Sequence, residues 1–102
     1  KENCPDVRNT KVVDVILSLN CYGMSTTLVD PWVNAEEAQK EYGVEVLQEI
    51  PFGKTFSAII CAVAHSQFKE IKIERWLELM EPNAVAIDLK GLIPRSIKPI
   101  RI

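Results

Sequence analysis

Apolar residues recur at helical spacing in the stretch that follows Asn9. The repeating positions are Val12, Val13, Val15, Ile16, Leu17 and Leu19. This period predicts an amphipathic helix from about residue 10 to about residue 22, with its apolar stripe packed on a sheet. Asn9 and Thr10 are suitable N-cap residues, and Gly23 stands where the end of a helix favours a residue with positive φ.

Two continuous apolar runs, Ser57–Ala64 and Ala84–Leu89, have the composition of strands that are buried on both faces of a parallel sheet. We expect Ser57–Ala64 to be the most central strand of the sheet. Shorter apolar or β-branched runs predict three further strands, the last of them at an edge. These are Ser25–Val29, Val44–Leu47 and Pro99–Ile102.

Helical segments separate these strands along the chain. Asn34–Gly43 has an Asn cap, glutamates in its first turn and a closing glycine, and Ser66–Met80 is predicted as two helical pieces, the longer being Lys72–Met80. Gln48–Phe56 is predicted as a connection and Pro82-Asn83 as a turn. Alternating strands and helices predict a three-layer α/β fold with a Rossmann-like, doubly wound parallel sheet.

The composition is that of a single ordinary domain covering residues 1–102. Of the residues, 47% are hydrophobic and 25% are charged, and the net charge of −2 provides no basic field for nucleic acid. No apolar stretch approaches the roughly 20 residues of a membrane helix, and no export signal is recognisable. We therefore expect a cytoplasmic protein that binds neither nucleic acid nor membrane.

Few features of the sequence indicate that this chain could catalyse a reaction on its own. Cys4, Cys21 and Cys61 form no C-x-x-C pair, so we expect reduced thiols, with Cys21 and Cys61 buried, and no metal site. The chain has no G-x-G-x-x-G, P-loop or G-x-S-x-G motif. Its single histidine, His65, follows the predicted strand Ser57–Ala64, where it contacts a ligand or partner, or caps the next helix.

Cations precede the first predicted helix. Lys1 and Arg8 lie close to its start, where unpaired N–H groups and the positive end of the helix dipole attract anions. The alternative is that Arg8 pairs with Asp6 and braces the loop. Asp30 has two interpretations as well, a ribose-binding acid at a strand end or the start of a turn before Pro31.

The run KENCPDVRNTKVVD resembles the start of the C-terminal, UDP-binding domain of the UDP-glucose/GDP-mannose dehydrogenase family. The similarity continues through Asp30–Val33, Ala58–His65 and Ala84–Arg95, so it covers essentially the whole chain. The combination of ENCPDVRNTKVVD, DPWV and EYG is most similar to the branch acting on UDP-N-acetylhexosamines, the Vi-antigen type 6-dehydrogenases.

The resemblance implies an intact enzyme that oxidises C6 of a UDP-sugar from alcohol to carboxylate in two NAD-dependent steps, for polysaccharide precursor synthesis. The NAD domain and the catalytic cysteine of the family lie upstream, so we expect neither a catalytic residue nor a cofactor in this fragment. By motif position, Lys1 is the family lysine that reaches the substrate, and Arg8 is a family arginine. Lys90 stands where many members have an arginine in an Asp-x-Arg pattern. The expected partners are the UDP-sugar, the other domains of the polypeptide and further copies of the enzyme.

In the family, a strand of the type GLTF runs into the lysine that corresponds to Lys1 and forms the first central strand of the sheet. This chain begins at the last residue of that strand, so we expect the sheet to lack it. The fragment is then less stable than the intact domain, or a segment of another chain, such as Pro99–Ile102, fills the slot.

Two alternatives belong to other functional classes. The domain could chiefly mediate assembly or dimerisation of the same enzyme, with Trp32, Trp76 and His65 as anchors and only weak nucleotide binding. A phosphoacceptor receiver domain fits the size and the sheet, but Ala64-His65 stands where such a domain needs an aspartate.

Overall fold

The structure, a computed structural model, describes residues 10–43 and 45–101. The chain divides into two compact units between Pro51 and Phe52. The elements of the first unit are α1 Thr10–Cys21, β1 Leu28–Val29, α2 Ala35–Tyr42 and β2 Val46–Leu47. Those of the second unit are β3 Phe56–Cys61, α3 Ser66–Lys69, α4 Ile73–Leu79, β4 Met80–Asp88, a 3-10 helix Arg95–Ile97 and β5 Ile100–Arg101.

Helix α1 confirms the predicted first helix. The chain leaves the helix through Gly23, whose φ of 81° is in the left-handed region that glycine tolerates. The N–H of Gly23 donates to the carbonyl of Asn20 at 3.0 Å. The buried stripe is narrower than predicted, because Ile16 is buried while Val15 and Leu17 are exposed.

The first unit is a βαβ arrangement. Strands β1 and β2 pair in parallel, with Leu28 opposite Val46, and α2 connects them. Helix α2 has the predicted ends, since the side chain of Asn34 accepts a hydrogen bond from the N–H of Glu37 at 3.0 Å and Gly43 closes the helix. The small core of the unit consists of Ile16, Ala38 and Val46, against which Val12, Val13, Leu28 and Val33 pack.

The second unit contains a three-stranded, fully parallel sheet in the order β3-β4-β5. Three details of the predicted central strand are wrong. The strand ends at Cys61 rather than Ala64, and β4 rather than β3 lies in the middle of this sheet. The predicted burial on both faces is also wrong, because Ile60 of β3 and Val85 of β4 are exposed. An apolar run carries no information about which strands are neighbours or what covers each face.

The two faces of this sheet differ. On one face, Cys61 and Ala86 pack with Trp76 of α4 and with Ile93 in the core of the unit. On the other face, which we call the apolar face, Ile60, Val85 and Ile100 are exposed. The register pairs Ala58 with Val85 and places Ile60 and Ile100 on either side of Ile87, so these side chains share one face of the pleat.

The predicted turn at Pro82-Asn83 occurs as an irregularity within β4. The pairing with β3 jumps from Phe56 opposite Met80 to Ala58 opposite Val85. Asn83 has a φ of 66°, a conformation that asparagine tolerates better than most residues. The extra residues are accommodated as a bulge, so that the strand continues to Asp88.

The described residues form an α/β structure with parallel sheets, consistent with a Rossmann-like domain that lacks a full sheet. The predicted edge strand is confirmed as Ile100–Arg101. It pairs in parallel with β4 of its own chain, with Ile87 opposite Ile100. Each helix within residues 10–43 and 45–101 is too short or too polar to cross a lipid bilayer.

Two leucines of α4 test the assignment of the core. Leu79 is 4% exposed and Leu77 is 54% exposed. We expect Leu79→Ala to lower the free energy of unfolding by about 2–5 kcal/mol, because it removes buried methyl groups and leaves a cavity. The matched change Leu77→Ala should cost about 0.5 kcal/mol or less. Urea denaturation followed by circular dichroism measures both values, and equal losses would contradict the assigned packing of α4.

Candidate functional site

The structure describes one of the three predicted binding residues. Lys1 and Arg8 lie outside the described residues, as does Asp6, the alternative partner of Arg8. Lys90 is described and lies in the loop that follows β4, with an exposed side chain. The proximity of the three cations to one another therefore stays a prediction.

Lys90 emerges at the carboxyl end of the three-stranded parallel sheet. Beyond the last pair of the ladder, the N–H of Leu89 still donates to the carbonyl of Cys61 at 3.0 Å. The chain then leaves the sheet through the segment Leu89–Ile93, which we call the β4 loop. Open α/β sheets bind their ligands outside the carboxyl ends of the strands, so the β4 loop is at the edge where a ligand is expected.

The side chain of Asp88, the last residue of β4, organises this loop. Its Oδ1 accepts hydrogen bonds from the N–H groups of Lys90 at 3.1 Å and Gly91 at 2.9 Å. Its Oδ2 accepts one from the N–H of Ile93 at 2.8 Å. Asp88 is 1% exposed, so these bonds replace the hydration that the carboxylate loses on burial. The conformation of the β4 loop is thus tied to one carboxylate.

Arg101 completes the arrangement from β5. It is the register partner of Asp88, and its Nε lies 3.5 Å from Oδ2 of that residue. Its Nη2 donates to the carbonyl of Ile93 at 2.6 Å. The guanidinium of Arg101 therefore binds two specific partners at the end of the sheet.

The pKa of Asp88 is lowered from its ordinary value of 3.8. Burial acts in the opposite direction and would raise it, but the N–H groups of Ile93, Leu92, Lys90 and Gly91 stabilise the charged form more strongly. The carboxylate is therefore ionised at neutral pH.

The thiol of Cys61 is buried and protonated at neutral pH. Burial, followed by the negative charge of its neighbour Asp88, raises the pKa of the Cys61 thiol to about 12. A buried thiol that stays protonated at neutral pH is a poor nucleophile. Cys61 is buried as predicted, whereas Cys21 is exposed, contrary to the prediction.

Two of the three aromatic anchors proposed for an assembly role are inside the protein. His65 is 1% exposed and Trp76 is 5% exposed, so neither presents a surface to a partner, while Trp32 is exposed. His65 is the residue before α3, and its ring lies 5.5 Å from that of Phe68. His65 therefore occupies the N-cap position of α3, as one interpretation of the sequence expected, but its side chain makes no capping hydrogen bond there.

The contacts of Asp30 support its interpretation as the start of a turn rather than as a ribose-binding residue. Its Oδ1 accepts hydrogen bonds from the N–H groups of Trp32 at 2.9 Å and Val33 at 3.3 Å. This is the Asx turn that an aspartate before proline favours. Within the described residues, no group of three or more His, Cys, Asp or Glu side chains is arranged to hold a metal ion.

Asp88 and Arg101 were not recognised as site residues from the sequence. A local signal for Asp88 existed, because an aspartate at a strand end, followed three residues later by a glycine, is typical of a side chain that binds the turn after it. Gly91 indeed has a φ of 75°. Arg101 had no such signal, since its partners are joined to it only by the pairing of β4 with β5.

Residues 1–95 match the family model described as UDP-glucose/GDP-mannose dehydrogenase family, UDP binding domain. The whole chain is 39% identical to a UDP-N-acetyl-D-glucosamine 6-dehydrogenase of Salmonella typhi and 42% identical to one of Pseudomonas aeruginosa, and it covers 24% of each. It is 34% identical over 93 residues to Protein CapL of Staphylococcus aureus, with 91% of this chain and 22% of that protein covered. The chain spans about a quarter of the length of these relatives. No solved structure matches it significantly.

The lowered pKa of Asp88 has a consequence for stability in acid. The ionised carboxylate stabilises the fold above pH 3.8, and this stabilisation is lost as the pH falls through the lower pKa of the folded state. Asp88→Asn removes the charge, so we expect it to lower the free energy of unfolding by about 1–3 kcal/mol at neutral pH. The difference from the wild type should shrink below pH 3.8. Urea denaturation at a series of pH values measures it, and a pH-independent difference would contradict this role of the carboxylate.

Proposed function

The chain belongs to the UDP-glucose/GDP-mannose dehydrogenase family, as its UDP binding domain, and we propose that it holds the nucleotide end of a UDP-sugar in a longer 6-dehydrogenase. The observation that carries the proposal is the match of residues 1–95 to that domain. The two relatives named as UDP-N-acetyl-D-glucosamine 6-dehydrogenases support a UDP-N-acetylhexosamine as the sugar nucleotide.

Lys90 is the described residue that we assign to the diphosphate. It is exposed at the carboxyl end of a parallel sheet, and no ion pair to its ammonium group occurs in the part of the chain that the structure describes. Its positive charge is therefore available to a ligand. Lysine contributes a single point of charge rather than the two-pronged fork of an arginine, so one phosphate oxygen is its natural partner. We assign Lys1 and Arg8 to the same ligand.

The reaction of the parent enzyme is proposed to be oxidation of C6 from alcohol to carboxylate, with NAD as the cofactor. The residues of this chain do not fit a dinucleotide-binding loop. Its glycines, Gly23, Gly43, Gly53 and Gly91, are too far apart to form G-x-G-x-x-G after a strand. We therefore assign NAD binding and the reacting groups to other parts of the parent protein. The contribution of this chain is to hold the nucleotide, so that binding energy remote from C6 positions the sugar.

The wider setting follows from the family resemblance. We propose that the parent acts in the cytoplasm, in the synthesis of a polysaccharide precursor, and that it works as a homo-oligomer. Residues 1–102 are proposed to be a fragment of a single UDP-sugar-binding domain, and its partners are the UDP-sugar and the remaining domains of the same polypeptide.

The second candidate function is assembly of the same enzyme with only weak nucleotide binding. The apolar face of the three-stranded sheet favours it, because Ile60, Val85 and Ile100 are exposed on three neighbouring strands. The occupant in this alternative is a second copy of the chain. His65 and Trp76 no longer support this alternative, since both are buried.

Replacing Lys90 tests the main proposal. In the full-length protein that contains this chain, we expect Lys90→Gln to weaken UDP binding about ten- to a hundredfold, the usual value of one hydrogen bond to a charged group. Isothermal titration calorimetry measures the affinity. Uridine carries no phosphate, so its affinity should be unchanged.

The matched control is Lys54→Gln. Lys54 is exposed and precedes β3, so it lies at the amino end of the sheet whose carboxyl end carries Lys90. The change in net charge is identical in the two variants. If both weaken UDP binding equally, Lys90 acts through the general field of the protein, and the proposed contact is wrong.

The assembly alternative makes a different prediction. The double variant Ile60→Thr, Ile100→Thr makes the apolar face more polar and keeps β-branched residues in the strands. If this face joins two copies, light scattering of the full-length protein should give a smaller mass for the variant, with UDP affinity unchanged. An unchanged mass excludes the apolar face as the interface.

A further inference from the structure

Both backbone polar groups of Ile93, the last residue of the β4 loop, form hydrogen bonds. Its N–H donates to Oδ2 of Asp88, and its carbonyl accepts from Nη2 of Arg101. Its side chain is buried with Cys61, Trp76 and Ala86. The Nε of Arg101 also approaches the carboxylate oxygen that holds the N–H. Asp88, Ile93 and Arg101 therefore form a closed cycle of contacts.

The first residue of the same loop is fixed as well. Leu89 donates its N–H to the carbonyl of Cys61 at 3.0 Å, which extends the ladder between β3 and β4 by one bond. Lys90 lies between these two anchors, and its own N–H is held by Asp88. The backbone of Lys90 is thus determined by contacts on either side, whereas its side chain is exposed.

We propose that Arg101 is a positioning residue for nucleotide binding, which acts through Asp88 and Ile93 to fix the β4 loop and hence the point from which Lys90 reaches the diphosphate. The inference rests on the proposed function of Lys90. Arg101 lies beyond the residues that match the family model, which end at residue 95. Its assignment comes from the pairing of β5 with β4 and from its two contacts.

Arg101 has a second, electrostatic effect on Lys90. The side chain of Asp88 is completely buried, and Arg101 supplies the opposite charge at 3.5 Å. Without that charge, the carboxylate keeps its hydrogen bonds from backbone N–H groups but has no opposite charge beside it. Its field then attracts Lys90, the one cation of the β4 loop, away from a ligand. Arg101 therefore keeps the loop in place and leaves the charge of Lys90 to the diphosphate.

A double-mutant cycle in the full-length protein tests this role. The variants are Arg101→Met, Lys90→Gln and the two combined, and calorimetry gives their affinities for UDP and for uridine. We expect Arg101→Met to weaken UDP binding about tenfold and to leave uridine binding unchanged, because only the diphosphate contact depends on Lys90. In the Lys90→Gln background, Arg101→Met should cause no further loss, since the residue through which it acts is already absent.

Lys98→Met is the matched control, because it removes one positive charge from the same tail without a contact to Asp88. It should leave both affinities unchanged. If Arg101→Met does not fold, the cycle is carried out with Arg101→Lys, which keeps the charge beside Asp88 but cannot make both contacts at once. A smaller loss of UDP affinity is then expected, again absent in the Lys90→Gln background.

The possible failures are distinguishable. If Arg101→Met weakens UDP binding equally with and without Lys90, or weakens uridine binding as much as UDP binding, Arg101 has a general structural role and the inference is wrong. It is also wrong if Arg101→Met has no effect while Lys90→Gln does. If Lys90→Gln itself leaves UDP binding unchanged, the proposed function of Lys90 fails, and the inference that depends on it fails for that reason.

Discussion

The buried carboxylate of Asp88 is the interaction on which the candidate site depends. It accepts hydrogen bonds from the N–H groups of Lys90, Gly91 and Ile93, and it lies beside the guanidinium of Arg101. A buried charge without such partners costs several kcal/mol, so the carboxylate and the β4 loop require each other. These contacts give the segment after β4 a defined conformation with one exposed lysine, Lys90.

The two faces and the carboxyl end of the sheet in the second unit differ in their burial and in the groups that they present. One face packs with α4 and Ile93 and forms the core of the unit, to which the last residue of the β4 loop belongs. The apolar face, with Ile60, Val85 and Ile100, contributes exposed apolar surface. The carboxyl end carries the polar groups. A nucleotide and a protein partner could be bound at different places on such a unit, which is why the two candidate functions predict different effects of mutation.

The sequence predicted best what is determined locally. Helix α2 was placed correctly because Asn34 and Gly43 specify its ends within a few residues of the chain. The position of β3 at the side of its sheet and the exposure of one of its faces were not predictable, because an apolar run does not give the order of strands. The role of Arg101 was hidden for a similar reason, since a register between two strands brings it to Asp88. Lys90 was identified from its motif position, whereas its place in a loop held by Asp88 could be seen only in the structure.

We propose that Lys90, held by the β4 loop, contacts the diphosphate of the nucleotide. An experimental structure of the full-length protein with bound UDP would show this contact or its absence. We expect the Nζ of Lys90 to lie within about 3 Å of a phosphate oxygen, with Asp88 and Arg101 still in contact with each other. UDP bound away from the carboxyl end of β4, or a diphosphate held entirely by other residues, would contradict the claim.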